Sequence, residues 1–513
     1  MRKVIFIVSC IFIHAAVCMA EGQVRLATDK QVYVAGEKIL CAVSYHDGGI
    51  LSDASGVAYV ELVSADGLAA KAKIALRGGL GAGYVPLPGN IPTGAYRIFA
   101  YTSDCRYAQT ADLLIFNTGS SSRVHGGVQI SDAPVPVPSS VSVMPKGIRM
   151  IREQRGDSLC FTIVNESGHS VALAVSVFED DGLRPDSSSV RIPLPGGAFE
   201  SEGEIIRARV FGKDAEKVIK SPWMEAMISA PGSPSDTYTA PIGKDGLVEF
   251  RTNNIYGDKD LVCEILGAEE EKIDCHFSPL SPFLDVPDME FPKMKLSAGM
   301  KPALLARHRA VLTDSPVLDT LFEFLPKRDN LLFSNEDCIR YCLDDYTRFS
   351  KVEDIISELI PDVIVRNVRG EKRIKLVLKD IPSKKKTDNV LVLLDGVPVT
   401  VHERLLAFDA MALGEVQVYP YVYALGKTVF NGAVNFVTTR HDMSALIFDD
   451  NVLIMDFVGC SYPVALRSGK RSAASGGRTL YWDPAAGLEN GASLQFGVSS
   501  DSRNISAVVT RMD

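Results

Sequence analysis

Short apolar runs broken by turn residues dominate the first half of the chain. Between residues 24 and 102, such runs alternate with Gly, Pro and Asp clusters, as in TDKQVYVAGEKILCAVSY and PTGAYRIFAYT. Branched and aromatic residues favour strands, whereas Gly and Pro end them. Residues 140–195 and 202–267 continue the pattern, for example in SLCFTIVNESG and GLVEFRTNNIYG. The pattern predicts tandem β-sandwiches.

Helical spacing appears further along the chain. Residues 300–312 carry apolar residues at near-helical intervals, and SKVE at 350–353 has the spacing of a capping box. An apolar stripe of Ile355, Ile356 and Leu359 follows. Packing in a core is a more common role for such a stripe than binding. The pattern predicts two helices, the second of them packed against the domain that follows.

Residues 389–440 combine strand and helix patterns. Apolar runs predict strands at 390–394, 415–419 and 433–439. A DG pair follows the first run, and we interpret it as a structural turn rather than as a ligand site. The stretch predicts a small mixed α/β domain over 363–439. The positions predicted to face its interior are Val392, Leu394, Val416, Val418, Val434 and Phe436.

The order of these elements has a counterpart in a known family. A strand, a DGVPV turn, a short helix, an EVQVY strand, a tyrosine–glycine loop and an NGAVNFVTT strand resemble the plug domain of TonB-dependent outer-membrane receptors. Large plugged barrels have about 22 strands of roughly 9–11 residues each. The following residues, 442–513, are too few for one. The resemblance implies a plug-like domain without its barrel, which is not a transporter by itself.

A second resemblance concerns the first β-rich region. A D-x-x-x-Y-x-x-G-E opening and a P-x-G-x-Y turn resemble the second macroglobulin-type domain of alpha-2-macroglobulin relatives, an immunoglobulin-like sandwich. The matching residues are Asp29, Tyr33, Gly36, Glu37, Pro92, Gly94 and Tyr96. The GCGEQ-like thioester motif of the protease-trapping members is absent from the sequence. The resemblance therefore implies a fold and a stalk role rather than a protease trap.

The last β-rich segment carries a phrase that supports the same grouping. Arg478, Tyr481, Trp482 and Pro484 resemble the RTLYWNP phrase of exported bacterial proteins that join macroglobulin-type and plug-like domains, with Asp483 in place of Asn. We expect a multidomain, mainly β chain of tandem immunoglobulin-like sandwiches plus a small α/β plug-like domain. The predicted division is a signal peptide (1–20), a macroglobulin-type sandwich (21–118), a linker (119–139), two immunoglobulin-like sandwiches (140–197 and 198–285), a helical connector (286–362), the plug-like domain (363–441) and a C-terminal β-domain (442–513).

The N-terminus predicts export. Arg2 and Lys3 precede an apolar stretch and a small-residue site, so we expect a secretory signal peptide cut after Ala20. A lipid anchor on Cys18 is the alternative, and Val17 before that cysteine disfavours it. The predicted location is the periplasm or an outer-membrane-associated place in the cell envelope, with at most peripheral membrane contact.

The net charge and the cysteines limit which partners, disulfides and metal sites are expected. Without the signal, 52 basic residues face 63 acidic ones, a net charge of −11, which argues against nucleic acid as a partner. An oxidising compartment permits disulfides, and Cys263 with Cys275 is the best local pair. Cys338 and Cys342 lie four apart in a helical pattern, which favours packing side by side. No cysteine spacing typical of zinc sites occurs in the sequence.

Sequence motifs of catalysis are absent. We find no GxSxG, HExxH, Walker A or SxxK motif in a fitting context, so we expect no catalytic residue, cofactor or metal site and no enzymatic activity. The acidic run at 179–182 and Asp501 are candidate calcium ligands. The run lacks alternate-position carboxylates, so a solvated turn is the better interpretation.

We therefore expect a non-enzymatic binding or scaffold protein at the outer membrane. Its plug-like domain would dock other envelope proteins, a second copy or a carbohydrate or peptide cargo. Tyr419, Tyr421 and Tyr423 are the candidate partner-binding residues, because tyrosine is enriched at binding hot spots; packing within the domain is the alternative. A second hypothesis is direct capture of carbohydrate or peptide for uptake. With Trp223 and Trp482 as its only tryptophans, the chain offers few stacking platforms for sugars.

Overall fold

The computed structural model describes most of the chain. The described residues are 22–119, 128–131, 142–156, 158–180, 182–185, 190–232, 235–266, 273–285, 289–291, 294–297, 300–314, 338–368, 370–376, 389–441, 443, 446, 452–466, 478–499 and 504–513. The predicted signal peptide with Cys18, most of the predicted linker, Asp181 and Asp501 lie outside this part. Within it, every helix is too short or too polar to cross a lipid bilayer.

Strands far outnumber helices. The elements up to residue 297 are β1 (Gln23–Thr28), β2 (Val32–Val34), β3 (Lys38–Asp47), β4 (Ile50–Leu51), β5 (Val57–Ser64), β6 (Gly67–Ala75), β7 (Leu80–Pro86), β8 (Gly94–Tyr101), β9 (Tyr107–Phe116), β10 (Val128–Ser131), β11 (Ser142–Val143), β12 (Ile148–Arg155), β13 (Ser158–Asn165), β14 (Val171–Glu179), β15 (Ile192–Pro193), β16 (Ile205–Phe211), α1 (Ala215–Lys220), β17 (Glu225–Ala230), β18 (Asp236–Pro241), β19 (Leu247–Arg251), β20 (Asp258–Leu266), β21 (His276–Pro279) and β22 (Met294–Ser297). The later elements are α2 (Lys301–Asp314), β23 (Ile339–Cys342), α3 (Val352–Leu359), β24 (Val363–Val368), β25 (Glu371–Leu376), β26 (Leu391–Leu394), β27 (Val397–Pro398), α4 (His402–Leu406), β28 (Leu413–Tyr419), β29 (Tyr423–Leu425), β30 (Thr428–Phe430), β31 (Ala433–Thr438), β32 (Leu453–Val458), β33 (Thr479–Leu488), β34 (Ser493–Ser499) and β35 (Ile505–Arg511).

The first sandwich follows the predicted pattern. One sheet has the order β1-β3-β4 with β7 also on β3, and the other has the order β15-β9-β8-β5-β6 with β2 parallel to β9. Alternating side chains from both sheets, such as Ile39, Val60 and Ile115, meet in one core. β15 comes from residues that the sequence assigned to the next sandwich, and it pairs with β9.

The second sandwich is assembled from two distant parts of the chain. Its sheets are β11-β35-β14-β33 and β12-β13-β34. β14 pairs with β33 on one side and β35 on the other, so Val175 and Val177 share a core with Leu480. The predicted separate C-terminal β-domain is corrected here: 479–511 completes the sandwich that starts near 142. Without 479–511, β14 has no strand on either side, and sequence periodicity carries no signal for a partner three hundred residues away.

The third sandwich contains the sheets β19-β16-β21 and β18-β17-β20-β32. Ile206, Ile228 and Phe250 lie in its core. β32 reaches it from beyond the α/β domain and pairs antiparallel with β20. Along the chain, the α/β domain therefore lies between two segments that belong to one sandwich.

The α/β domain confirms the predicted interior. Its sheet has the order β23-β28-β31-β26-β27, in which β26 and β31 run parallel. All six predicted inward residues are buried in one core, which they share with Ile355 and Ile356 of α3. Two predictions are corrected. The Cys338–Cys342 region is part of an edge strand rather than a helix, and Lys351 rather than Ser350 is the N-cap of α3, without a side-chain cap.

The macroglobulin-type motif forms a buried joint between the first two sandwiches. The Asp29 carboxylate accepts hydrogen bonds from the Tyr33 hydroxyl at 2.7 Å and from the Leu40 N–H at 3.1 Å. Lys30 Nζ lies 3.0 Å from the same carboxylate, and the Thr479 hydroxyl of the second sandwich donates to it at 2.5 Å. A buried carboxylate needs such donors, because water no longer solvates it. The motif residues therefore hold the two sandwiches together.

A second buried ion pair fixes α2 on the first sandwich. Arg307 donates through Nε and a terminal nitrogen to the two Glu37 carboxylate oxygens, each at 2.9 Å, and to the Val32 carbonyl oxygen at 2.7 Å. Next to it, the Thr118 hydroxyl lies 2.6 Å from His308 Nδ1. A planar guanidinium suits this forked contact with a carboxylate.

The first and third sandwiches are joined by another buried pair. Lys73 Nζ lies 2.6 and 2.8 Å from the two carboxylate oxygens of Glu204, and both side chains are almost fully buried. The ammonium group also lies 4.1 Å from the centre of the Phe457 ring on β32. These buried contacts hold the three sandwiches together, and the α/β domain packs on the third of them.

Candidate functional site

The hairpin of β29 and β30 lies against the third sandwich. The Lys427 backbone N–H donates to Glu225 Oε2 at 2.7 Å, and Lys427 Nζ donates to the Pro222 carbonyl oxygen at 3.3 Å. Gly426, with φ of 59°, precedes Lys427, and a Cβ there would collide with the Glu225 carboxylate. Glycine at this turn is what lets the hairpin approach the sandwich.

The α/β domain and the third sandwich also share an apolar contact. Leu391 and Leu393 lie on the side of the α/β sheet that faces away from its own core, and with Phe430 of the hairpin they pack against Met227 and Leu266 of the third sandwich. Sheet strands with both faces covered read as continuous apolar runs, which explains the run at 391–394. The α/β domain therefore contacts the third sandwich through part of one face of its sheet.

The DG pair is a structural turn, as interpreted from the sequence. Asp395 and Gly396 have φ of 50° and 79° and link β26 to β27. The buried Asp395 carboxylate accepts hydrogen bonds from the Thr438 N–H and hydroxyl, both at 2.7 Å, and from the Met443 N–H at 2.9 Å. Its oxygens serve the fold rather than a ligand.

The three candidate tyrosines have different environments. Tyr419 is 1% exposed, its hydroxyl donates to Gln417 Oε1 at 3.0 Å, and burial raises its pKa. Tyr423 is partly buried and packs edge-on against Tyr419 with ring centres 6.1 Å apart. Tyr421 is 53% exposed. The prediction of Tyr419 as a partner-binding residue is therefore corrected, because it packs within the domain; Tyr421 is the accessible member.

Exposed apolar side chains flank the contact between hairpin and sandwich. On the hairpin side, Tyr421, Val422 and Val429 are more than half exposed, and on the sandwich side Trp223, next to Pro222, is 80% exposed. We call these four residues the apolar strip. Tyr421 is one of the predicted partner-binding residues, Trp223 was considered only as a stacking platform for sugars, and Val422 and Val429 were not predicted. Val429 pairs with Ala424 across the hairpin and so shares its outward face, an alternation that strand periodicity indicates only once the hairpin is known.

A cavity of about 340 Å³ lies where the first two sandwiches meet. Apolar side chains such as Leu26, Phe178 and Val508 line part of it. Its charged lining is paired: Arg184 binds the Asp180 carboxylate, which also accepts from the Ser506 hydroxyl, and Arg307 binds Glu37. Asp180, from the acidic run that a calcium site would use, is thus engaged in a turn with Gly182.

The described residues contain no grouped side chains suited to metal binding, and most of their thiols are buried. No group of three or more His, Cys, Asp or Glu side chains is arranged to hold a metal ion there. None of the eight cysteines after the signal forms a disulfide in the structure, so the predicted Cys263–Cys275 pair is not bonded. Burial raises the pKa of Cys263 to about 12 and, with Asp214 and Asp274 nearby, that of Cys275 to about 11. Both thiols are core residues rather than nucleophiles.

His402 makes the α/β domain sensitive to acid. The Ile374 N–H donates to His402 Nδ1 at 3.0 Å, and burial, with the Arg373 guanidinium, lowers the pKa of His402 from 6.5 to about 4. The folded state thus prefers the neutral ring. This contribution to stability is complete above pH 6.5 and is lost as the pH falls towards 4, where the unfolded chain binds the proton first.

We expect the wild-type protein to lose about 1–2 kcal/mol more stability between pH 7 and pH 5 than His402→Gln does. Urea unfolding at both pH values measures this difference. His169→Gln, at an exposed histidine, is the matched control and should follow the wild type. Equal pH dependence in all three proteins would contradict the role of His402.

Comparisons with known proteins give matches among solved structures only. No family model and no curated protein matches the chain. Similar solved structures include Escherichia coli alpha-2-macroglobulin in its native conformation, at 13% identity over 52% of this chain and 15% of that one, with a TM-score of 0.17. Salmonella alpha-2-macroglobulin reacted with methylamine matches at 10% identity over 97% and 24%, with a TM-score of 0.16. Trypsin-activated Escherichia coli alpha-2-macroglobulin matches at 10% over 96% and 41%, with a TM-score of 0.18.

The chain spans less than half the length of each of these proteins. These three neighbours are bacterial alpha-2-macroglobulins. The chain is a multidomain, mainly β protein with immunoglobulin-like sandwiches. The comparisons give no support to the plug-like resemblance of the α/β domain.

Proposed function

We propose that this protein is a non-enzymatic binding and scaffold component of the cell envelope, which docks a partner protein through the apolar strip. The observation that carries the proposal is the exposure of Tyr421, Val422, Val429 and Trp223 on both sides of one domain contact. Exposed apolar side chains next to a domain contact are candidates for a protein-binding surface, and Trp and Tyr are among the residues enriched at hot spots.

The buried contacts between the sandwiches suit a scaffold role. Buried pairs such as Arg307–Glu37 and Lys73–Glu204 hold the sandwiches to one another and to α2. A partner that binds the strip would therefore meet surfaces already fixed in place, and it would not have to order them at a cost in affinity. The signal-like N-terminus supports an exported location, and the plug-like element order supports a role near the outer membrane.

The test compares strip and control variants of the full chain. Trp223→Ala with Tyr421→Ala should weaken binding of an envelope protein recovered with the wild type by about 30-fold or more, because truncating hot-spot residues costs about 2 kcal/mol or more. The recovered protein is purified, and its affinity for each variant is measured by titration calorimetry. The matched control is Ile50→Ala with Tyr107→Ala, at exposed positions of the first sandwich. Unchanged affinity in the strip variant would contradict the proposal.

A direct carbohydrate-binding role is the second candidate, because of Trp223. Its indole is 80% exposed, whereas Trp482 is 1% exposed, so a ligand that stacks on the protein would change the fluorescence of Trp223 alone. A saturable fluorescence change with soluble envelope glycans, lost in Trp223→Phe at the same excitation wavelength, would favour this role. A flat titration together with tight protein binding would favour the first.

A further inference from the structure

β23 is an open edge of the α/β sheet. It pairs with β28 on one side, and no strand in the described part of the chain pairs with its other side. Ile339, Arg340 and Cys342 of this strand are exposed. An edge strand offers backbone N–H and C=O groups to another strand unless proline, a bulge or inward charges protect it. β23 has no proline, and its register with β28 is regular.

The residues at this edge are close to a palindrome. Residues 338–342 read Cys-Ile-Arg-Tyr-Cys. When two copies of β23 pair antiparallel about Arg340, Ile339 lies opposite the partner's Tyr341, and Cys338 lies opposite the partner's Cys342. An apolar residue thus meets an apolar residue and a thiol meets a thiol, at both ends of the strand.

The two faces of the sheet also match across such a pair. Tyr341 packs against the core of the domain, opposite Val416 of β28. Alternation places Ile339 on the same face, and Cys338, Arg340 and Cys342 on the other. Pairing about Arg340 places residues of the same sheet face opposite each other. The apolar face of one copy therefore continues into the apolar face of the next.

The spacing suits disulfides between copies and not within one. Four residues along a strand separate Cys338 from Cys342 by roughly 13 Å, far beyond the reach of a disulfide. Opposite residues of antiparallel strands have Cα atoms about 4.5–5.5 Å apart, and disulfides need about 4.4–6.8 Å. Cys342 is exposed, Cys338 is partly exposed, and both thiols are free.

The charge on the symmetry axis is already balanced in each copy. Arg340 would face the partner's Arg340, and like charges directly opposite one another are unfavourable. Each Arg340, however, lies 3.0 Å from Glu415 of its own β28. The edge thus brings two ion pairs together rather than two isolated cations.

We propose that two copies of this chain pair edge to edge through β23, and that two Cys338–Cys342 disulfides between the copies lock the pair. The residues of this edge differ from those of the apolar strip, and the proposal does not rest on the proposed function. With glutathione disulfide as oxidant, the Cys342 thiolate attacks one sulfur and releases one glutathione. The partner's Cys338 thiolate then displaces the second glutathione. Each new disulfide takes two electrons from two thiols, which lose two protons, and reduces one glutathione disulfide to two glutathione molecules.

The test uses the full chain in a glutathione redox buffer. Non-reducing gel electrophoresis should show a covalent dimer, and peptide mass spectrometry should find Cys338 joined to Cys342. Cys338→Ser with Cys342→Ser should abolish the covalent dimer while light scattering still detects a reversible one. Cys160→Ser, at another partly exposed thiol, should leave both dimers unchanged.

A charge variant tests the strand pairing without the thiols. Arg340→Glu gathers carboxylates at the axis, so it should raise the dissociation constant of the reduced dimer about tenfold; circular dichroism verifies that the variant is folded. A monomer at all concentrations under reducing conditions would overturn the proposal. Cross-links mainly between Cys342 and the partner's Cys342 would also overturn it, since they indicate collision of exposed thiols without the register.

Discussion

Replacing Leu394 with Asp is expected to unfold the α/β domain at temperatures where the wild-type domain is folded. Leu394 is fully buried, and it pairs with Phe436 in a core that also contains Val416. The change removes apolar packing worth about 2–5 kcal/mol and buries a carboxylate in its place. A small domain has only about 5–15 kcal/mol of stability in total.

Calorimetry and limited proteolysis measure this effect. We expect the transition of the α/β domain to disappear, with new cleavage confined to 338–441 and the sandwiches still protected. Met411→Asp is the matched control, because Met411 is 52% exposed in the same domain. Wild-type melting of the Leu394→Asp protein would show that the buried face has been assigned wrongly.

Replacing Arg307 with Met is expected to release α2 from the first sandwich. Arg307 is buried, and its loss leaves the Glu37 carboxylate with only the more distant Lys30 ammonium, at 3.7 Å, as an ion-pair partner among the described residues. Breaking a buried ion pair from one side costs about 3–5 kcal/mol, since an uncompensated charge remains. Hydrogen exchange of Lys301–Asp314 should become much faster, and the melting temperature should fall.

Two further variants separate charge from packing. Arg309→Met changes an exposed residue of the same helix and should alter stability by about 0.5 kcal/mol or less. Glu37→Gln combined with Arg307→Met should recover part of the loss, because no buried charge is then left unpaired. A double variant as unstable as the sum of both single ones would contradict this account.

Local patterns were enough for much of the α/β domain. The three predicted strands at 390–394, 415–419 and 433–439 match β26, β28 and β31 within one residue or two at each end. The six inward positions follow from alternation alone, because successive side chains of a strand point to opposite faces. The macroglobulin-type motif was also visible, although its role as a joint to Thr479 was not.

The candidate site was only partly predictable for a related reason. Tyrosine enrichment pointed to the stretch at 419–423, yet a residue type does not reveal which side of a sheet is covered. Tyr419 is buried because it packs with Met227 and Leu266 of the third sandwich, whereas Trp223 is 80% exposed. Both outcomes depend on contacts between segments about two hundred residues apart.

The sequence by itself determined the mainly β character of the chain and, in the α/β domain, the positions of β26, β28 and β31 and the buried interior, because these depend on neighbours within a few residues. The tertiary structure alone decided which strands share a sandwich. It brought 479–511 to β14 and β32 to β20, and it placed Arg307 on Glu37. Such pairings gain their free energy from apolar burial and charge neutralisation between distant segments, and no local periodicity records which distant segment will provide them.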